Sequence, residues 1–292
     1  MIDLNHHLGS NHKEMKYLEN DFKINIHMKF LIISAMILLA LLKLQTATAQ
    51  IEKRDSLALV DLYNSTNGPE WRFKKHWLKG PVKTWYGVAI RYNRVINLEL
   101  NDNKLSGVIP ESIGNLDQLQ CLFLAYNTLK GTIPESLSNL NQLQFLCLQS
   151  NQLEGSIPAS LGNLVRLRGL FLCNNFLEGE IPETLGSLSN LVDIGLFSNR
   201  LRGGIPSSFG NLTKLEHLLV NTNQLSGVIP ESLGRLSNLR SLWLNDNAFC
   251  GSVPTSFEKL SNLYCLHLSS NKLKGKVNFL KNMPSLHDVW LD

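Results

Sequence analysis

Hydrophobic positions recur along most of this chain with a fixed period of 24 residues, from Val95 onward. Each period reads L-x-x-L-x-L-x-x-N-x-L-x-G-x-I-P-x-x-L-x-x-L-x-x, and its asparagine keeps the same register eight times. These asparagines are Asn103, Asn127, Asn151, Asn175, Asn199, Asn223, Asn247 and Asn271. Repetition at this length predicts a solenoid, in which each unit buries its apolar face against its neighbours.

Each repeat predicts one short strand followed by a turn. In the third repeat, alternation predicts that Leu146 and Leu148 are buried. The same alternation exposes Phe145 and Cys147. Strands stacked in register form a parallel sheet, which we expect on the concave side. The asparagine that follows can satisfy buried loop groups, so its repetition predicts a ladder of hydrogen bonds.

The second half of each repeat predicts a bend and a short helical turn on the convex side. In the third repeat, Gly155 suits the bend, Pro158 can occupy the first helical position, and Gly162 can close the turn. The predicted fold is therefore an α/β-type, right-handed curved horseshoe. It has a parallel sheet on the concave face, and short 3₁₀ helices with extended segments on the convex face.

The residues before the repeats divide into a targeting segment and a cap. A positive start, an apolar run and Ala47-Thr48-Ala49 make 28–49 typical of a secretory signal peptide, and the run is too short to span a membrane. Because such signals usually open a chain, we interpret 1–27 as a spurious or disordered extension. The alternative is a signal anchor with 1–27 in the cytoplasm.

Residues 50–94 lack the repeat and predict a helical N-terminal cap, which a repeat array needs to cover its apolar end. Asp55 is the expected N-cap of its helix, and Asn67-Gly68-Pro69 is expected to end it. Eight repeats then fill 95–285, and an incomplete ninth occupies 286–292. A strand left open at that edge indicates either a shortened end, which we favour, or a dimer contact.

The L-x-G-x-I-P repeats, with Trp71, Trp77 and Trp85-Tyr86-Gly87-Val88 of the cap, resemble secreted leucine-rich-repeat proteins of the plant-specific class. The W-x-G-V element is similar to the cap of plant receptor-like and polygalacturonase-inhibiting proteins. Thr84 and Ile90 stand where the cap cysteines of those proteins would lie, so bacterial secreted versions are the closer resemblance. The resemblance implies non-catalytic recognition outside the cytoplasm.

Variable strand positions between the leucines define the candidate binding surface on the concave face. They are rich in aromatic residues, which lead among binding hot spots. The candidate ligand-binding residues are Phe123, Tyr126, Phe145, Phe171, Phe197, Arg200, His217, Trp243, Asp246, His267 and Trp290. The alternative is that rings on adjacent strands tile the sheet without a ligand.

The cysteines give only weak evidence for catalysis, disulfide bonds or metal binding. Cys265, His267 and Asp288 contain the groups of a thiol nucleophile, but an open sheet offers them no oxyanion donor. Cys121, Cys147 and Cys173 step diagonally across three strands, too far apart for disulfides. We therefore expect no catalytic residues, no metal and no cofactor.

Charge narrows the class of partner. Residues 50–94 carry nine Lys and Arg against four Asp and Glu, whereas 95–292 carry 14 against 16. A near-neutral array lacks the concentrated basic face that nucleic acid requires. The sequence predicts a secreted, cell-surface or periplasmic module that binds a protein or polysaccharide. The alternative is a structural or adhesive spacer without a specific ligand.

Overall fold

The computed structural model describes residues 53–291, which belong to one compact unit. The expectations for 1–27 and for the signal segment 28–49 lie outside the described residues. Over the described range, no helix combines the length and the apolar character needed to cross a bilayer.

The described chain begins with helix α1 over 53–65 and continues as short strands and 3₁₀ helices. The strands are β1 Val88–Arg91, β2 Arg94–Glu99, β3 Ser106–Gly107, β4 Cys121–Phe123, β5 Thr128–Gly131, β6 Phe145–Cys147, β7 Gln152–Ser156, β8 Gly169–Phe171, β9 Phe176–Glu180, β10 Asp193–Gly195, β11 Arg200–Gly203, β12 His217–Leu219, β13 Gln224–Val228, β14 Ser241–Trp243, β15 Ala248–Gly251, β16 Cys265–His267, β17 Lys272–Leu273 and β18 Asp288–Trp290. The 3₁₀ helices are η1 Gly68–Glu70, η2 Val82–Thr84, η3 Glu111–Asn115, η4 Glu135–Asn139, η5 Ala159–Asn163, η6 Glu183–Ser187, η7 Ser207–Asn211, η8 Glu231–Arg235, η9 Thr255–Lys259 and η10 Asn278–Asn282.

The strands form two sheets. The first has ten strands in the order β1-β2-β4-β6-β8-β10-β12-β14-β16-β18, parallel except for the antiparallel β1–β2 hairpin. The second has eight strands, from β3 to β17, built from the segments that follow each asparagine. The predicted fold class is confirmed. The extended segments, however, pair with one another into a second sheet that the sequence analysis did not predict.

One continuous core runs from the cap to the last repeats. The middle residues of the first-sheet strands are at most 1 % exposed in every repeat from the first to the eighth: Leu98, Leu122, Leu146, Leu170, Ile194, Leu218, Leu242 and Leu266. Each buried side chain of this size contributes roughly 1.5–3 kcal/mol of transfer free energy. Each leucine contacts mainly the repeats beside it. The free energy of unfolding of the array is therefore close to a sum of contributions from single repeats and from the interfaces between neighbouring repeats.

The 3₁₀ helices correct two expectations about the third repeat. Pro158 is the N-cap of η5, one residue before the predicted first helical position. Gly162 lies inside η5 instead of closing the turn, and a Cβ there would stand 2.6 Å from the Thr184 carbonyl oxygen. Its absent side chain therefore allows close packing of neighbouring helices. Gly155, by contrast, has the positive φ, 76°, that the bend requires.

The cap is helical and aromatic, as expected, and α1 gives way at Asn67 to a left-handed turn. Trp71 packs edge-on against Trp77 at 4.7 Å, and Trp77 contacts Trp85 at 4.9 Å. These rings are almost completely buried, so they close the apolar end of the first repeat.

Asp55 is not an N-cap. It lies within α1, only 2 % exposed, and accepts two hydrogen bonds from the Arg94 guanidinium at 3.0 Å each. The Val95 amide donates a third at 2.9 Å. A buried carboxylate needs such partners, so Asp55 joins the cap helix to the first strand of the array.

The cap should weaken in acid through Asp117. Burial opposes ionisation of this carboxyl, but hydrogen bonds from Arg54 and Arg94 outweigh burial and lower its pKa. A lowered folded-state pKa gives stability that is present above the ordinary pKa and lost as pH falls through the lowered value. We expect Asp117→Asn to reduce hydrogen-exchange protection of the cap at neutral pH and to make no difference at about pH 2. An equal deficit at both pH values would contradict this account.

The C-terminal end is open in the described chain. The strand β18 pairs with β16 on one side, and no described strand pairs on its other side. Val289 and Leu291 occupy inward positions of the ninth repeat but are 39 % and 41 % exposed. The apolar end opposite the cap is therefore uncovered within residues 53–291.

Candidate functional site

The concave face, the solvent side of the ten-stranded sheet, carries one side chain from each repeat at every register position. The central column runs without slip through Glu99, Phe123, Cys147, Phe171, Gly195, Leu219, Trp243, His267 and Trp290. Residues one full repeat apart therefore stand side by side, about 4.8 Å from strand to strand. The column divides into an apolar N-terminal half and an aromatic, ionisable C-terminal half.

In the N-terminal half, phenylalanine rings cover the sheet. A Cβ at Gly169 would lie 2.8 Å from the ring of Phe145 and 2.8 Å from that of Phe171. The two rings therefore meet over the glycine that separates them. Phe123, Phe145 and Phe171 are only partly exposed. In this half, the arrangement matches the tiling alternative that the sequence left open.

Cys147 was expected to be exposed and is instead buried, at 8 % exposure. Its register neighbours are Phe123 on one side and Phe171 on the other, so larger side chains overhang the small thiol. Burial is the main cause that raises the pKa of Cys147 to about 12, and the nearby Cys121 and Cys173 contribute to the rise. Burial raises the pKa of Cys173 to about 11. All five cysteines are free.

These pKa values predict an ordered thiol reactivity. At pH 8, only about one Cys147 in 10⁴ is a thiolate, the form that reacts. We expect Cys250, which is exposed, to react first with a thiol reagent in the native protein. Cys147 and Cys173 should react only after denaturation. Peptide mapping of alkylated sites measures the order, and early labelling of Cys147 would contradict the packing of the phenylalanine rings.

In the C-terminal half, aromatic rings stack from strand to strand. Trp243 lies on His267 with ring centroids 4.9 Å apart and planes 15° from parallel. His267 contacts Trp290 at 5.3 Å, and Trp290 is 60 % exposed. Beside this row, Tyr264 stacks on His287 at 5.1 Å and is 53 % exposed. Solvent-facing aromatic surface is therefore concentrated in the last three strands of the sheet.

Charged groups in this half pair with one another. Glu216 bonds Arg240 at 3.1 Å, and Asp193 lies 4.0 Å from His217. Burial raises the pKa of Asp193, while the nearby His217 opposes that rise. His267 bonds Asp288 at 2.9 Å and thereby lowers the pKa of that carboxyl. The charge that reaches solvent from the C-terminal half is therefore largely neutralised.

Cys265, His267 and Asp288 do meet on adjacent strands, but their arrangement opposes nucleophilic chemistry. His267 bonds Asp288, and the thiol lies 3.6 Å from the same carboxylate. Burial and the Asp288 carboxylate raise the pKa of Cys265. A reactive thiol needs a lowered pKa, and this site does the reverse.

Four of the predicted binding residues lie away from the strand centres. Arg200 is on β11 of the second sheet, with its guanidinium 4.8 Å from the centre of the Phe176 ring, so its assignment to the concave face was wrong. It follows the turn asparagine, where the chain has already left the first sheet. Tyr126 and Asp246 are exposed at left-handed turn positions at the sheet edge. Phe197 follows β10 and is half-buried.

Sequence reasoning missed several polar and aromatic residues of the C-terminal half. Tyr264 precedes its strand and so was not counted among the alternating positions. Its pairing with His287, at the same position of the next repeat, is the signal that could have identified it. Asn221 Oδ1, Asn245 Oδ1 and Trp243 Nε1 are buried polar atoms that have no hydrogen-bond partner in the described protein. Such atoms are rare in folded proteins, and Asn97 Oδ1 and Gln149 Oε1 of the N-terminal half are in the same state.

The strands, asparagine turns and 3₁₀ helices stack into a solenoid, and aromatic side chains lie on the open face of its first sheet. This architecture defines the class of repeat proteins that offer one face of a sheet as a binding surface. Sequence-family comparison agrees. One model described as a leucine rich repeat matches 93–153, and another of the same description matches 166–188, 190–212, 214–236 and 238–260. Together these matches cover more than half of the chain, which belongs to the leucine-rich-repeat family.

Solved structures with the same fold include plant receptor ectodomains. The leucine-rich-repeat ectodomain of the Arabidopsis receptor kinase HAESA, in complex with an N-terminally extended IDA peptide hormone, is 28 % identical with a TM-score of 0.68, covering 81 % of this chain and 44 % of that one. The plant peptide hormone receptor RGFR1, in complex with RGF2, is 33 % identical with a TM-score of 0.59, covering 71 % and 40 %. This chain therefore spans less than half of those receptor chains.

A plant ice-binding protein is 28 % identical with a TM-score of 0.61, and the match covers 82 % of this chain and 95 % of that one. Comparison with curated proteins finds no match. The structural neighbours support a ligand-binding leucine-rich-repeat module, and proteins with one fold can bind different ligands.

Proposed function

We propose that the protein is a non-catalytic recognition module that acts outside the cytoplasm and binds a protein or polysaccharide on its concave face. The observation that carries this proposal is the concentration of stacked, solvent-facing aromatic rings in the last three strands of the first sheet. Contiguous apolar surface that faces solvent marks interaction sites in many soluble proteins. The HAESA and RGFR1 complexes add support, since both receptors carry peptide hormones.

The second candidate is a structural or adhesive spacer. The packing of Phe145 and Phe171 beside Gly169 favours it in the N-terminal half, because both rings already fill the space next to that glycine. It does not account for Trp290 and Tyr264, which are each more than half exposed. We therefore place recognition in the C-terminal half and a mainly structural role in the N-terminal half.

The test is a screen for ligands with the full chain, against extracellular proteins and a glycan array, followed by the double variant Phe171→Ser with Trp243→Ser. We expect the variant to keep its circular dichroism, to melt at a somewhat lower temperature because Phe171 packs over the sheet, and to lose the captured ligand. Phe176→Ser is the matched control, because Phe176 is 45 % exposed on the other sheet. A ligand that binds both variants equally would contradict a concave site, and an unfolded double variant would favour tiling.

Secretion is a separate part of the proposal and rests on the signal-like segment 28–49. Mass spectrometry of the mature protein should find Gln50 as its first residue. A retained Met1 would contradict cleavage and favour the signal anchor.

Pairing of two copies at the open edge is an alternative that we also propose to test. The exposed Val289 and Leu291 give a dimer an apolar contact. Light scattering at micromolar concentration decides it, because a monomer at that concentration excludes this contact.

A further inference from the structure

A cleft lies beside the C-terminal aromatic row of the concave face. It encloses a cavity of about 490 Å³ lined by His217, Arg240, Ser241, Asn262, Tyr264 and Ser285. We call this cavity together with the row Trp243, His267 and Trp290 the C-terminal cleft. Its volume falls in the range of small-molecule sites, about 300–1,000 Å³.

The cavity and the aromatic row are parts of one surface. Ser241 lines the cavity and Trp243 belongs to the row, and both lie on β14. Two residues along a strand are about 6.6 Å apart and point to the same side. A ligand of a few linked rings can therefore occupy the cavity and lie on the row together.

The chemistry of the cleft disfavours a charged ligand. Its arginine is held by Glu216 at 3.1 Å, and Asp288 already accepts hydrogen bonds from His267 at 2.9 Å and from Trp290 Nε1 at 2.7 Å. Asp246, at the edge, accepts one from Asn245 at 2.6 Å. An anion meets more carboxylates than free cations, and a cation finds each carboxylate already bonded.

Besides Arg240 and His217, the polar side chains that line the cavity are neutral and can both donate and accept hydrogen bonds. They are the hydroxyls of Ser241, Tyr264 and Ser285 and the amide of Asn262. Hydroxyl groups on a ligand also donate and accept, so a polyhydroxylated ligand can bond to several of these side chains at once.

Exposed rings supply the other half of the recognition. Trp290 is 60 % exposed and Tyr264 is 53 % exposed, although they contact His267 and His287 respectively. Exposed apolar ring surface next to neutral hydrogen-bonding groups matches a sugar ring, which has an apolar face and a polar rim.

We propose that the C-terminal cleft binds a neutral oligosaccharide, with sugar rings packed against Tyr264 and Trp290 and hydroxyl groups bonded to Ser241, Asn262 and Ser285. This inference rests on the proposed recognition function and names the ligand class for one part of the concave face.

The experiment is isothermal titration calorimetry of the full chain with cello-, laminari-, manno- and xylo-oligosaccharides. At least one should bind, and Trp290→Ala and Tyr264→Ala should each weaken it on the order of tenfold or more. Phe123→Ala is the matched control, because it removes a ring from the same column in the N-terminal half. The control should change the dissociation constant less than about twofold.

Two further titrants test the ligand class: oligogalacturonate as an acidic saccharide and hexalysine as a cationic peptide. Tighter binding of either than of every neutral saccharide overturns the inference. Neutral binding that survives both Trp290→Ala and Tyr264→Ala overturns the site. If no neutral saccharide binds but the concave double variant loses a captured protein, this inference fails and the recognition function stands. If no ligand responds to any concave substitution, both fail.

Discussion

Asn175→Ala should destabilise the protein by about 3 kcal/mol, because one buried amide satisfies backbone groups of two repeats at once. Asn175 is 5 % exposed. Its side-chain oxygen accepts from the Leu153 amide at 3.0 Å. Its nitrogen donates to the carbonyls of Leu172 at 3.0 Å and Leu148 at 3.1 Å. Alanine leaves the Leu153 amide without this acceptor and removes one of the two ladder hydrogen bonds at each carbonyl, where Asn151 still donates to Leu148 and Asn199 to Leu172.

Urea unfolding measures the loss, and native-state hydrogen exchange locates it. We expect protection of the Leu153 amide to fall most, because the substitution removes the Asn175 oxygen to which that amide donates. Asn163→Ala is the matched control, since Asn163 is exposed on η5, and its effect should stay within about 0.5 kcal/mol. A loss below about 1 kcal/mol for Asn175→Ala would show that water replaces the amide.

Gly186→Ala is expected to cost about 2–3 kcal/mol by forcing two neighbouring 3₁₀ helices apart. A Cβ at Gly186 would lie 2.3 Å from Ser208 Oγ, 2.4 Å from its Cβ and 2.7 Å from its carbonyl carbon. Ser208 cannot move freely, because its hydroxyl donates to the Glu183 carbonyl at 2.8 Å. The backbone must therefore shift.

Thermal unfolding compares Gly186→Ala with Gly204→Ala. The nearest atom to a Cβ at Gly204 is the Ser226 carbonyl oxygen at 3.6 Å, so this control should be nearly neutral. Adding Ser208→Gly to Gly186→Ala removes two of the three close contacts and should recover part of the loss. Equal melting temperatures for Gly186→Ala and the native protein would contradict close packing of the helices.

The repeat period was sufficient to predict the first sheet, its buried leucines and its register. It was not sufficient for the second sheet, because segments such as Gln152–Ser156 contain a single apolar residue and look like loops in sequence. Gly162 illustrates another limit. The sequence shows a glycine at this position, but either a positive φ or a close neighbour can require glycine. Only the packing of Thr184 in the structure shows that a close neighbour is the reason at Gly162.

The sequence predicted the position of the candidate site better than it predicted the burial and pairing of its side chains. The period placed Trp243, His267 and Trp290 in one column, because residues one repeat apart are lateral neighbours. The burial of Cys147 depends on how far neighbouring rings overhang it, which spacing does not reveal. The pairing of Asp193 with His217 was available from the same 24-residue rule, since the two occupy one position in successive repeats.

Because the columns are in register, the concave surface can also change by the loss or duplication of whole repeats. Loss or duplication of one 24-residue block keeps each asparagine opposite the amide it serves and each helix glycine beside the next helix. On the concave face, however, every side chain beyond the join acquires a new lateral neighbour. A crossover between repeats can thus exchange Leu219 for another partner of Trp243 without a single point mutation. Exchange of whole repeats therefore changes the concave face while leaving the packing of the solenoid in place.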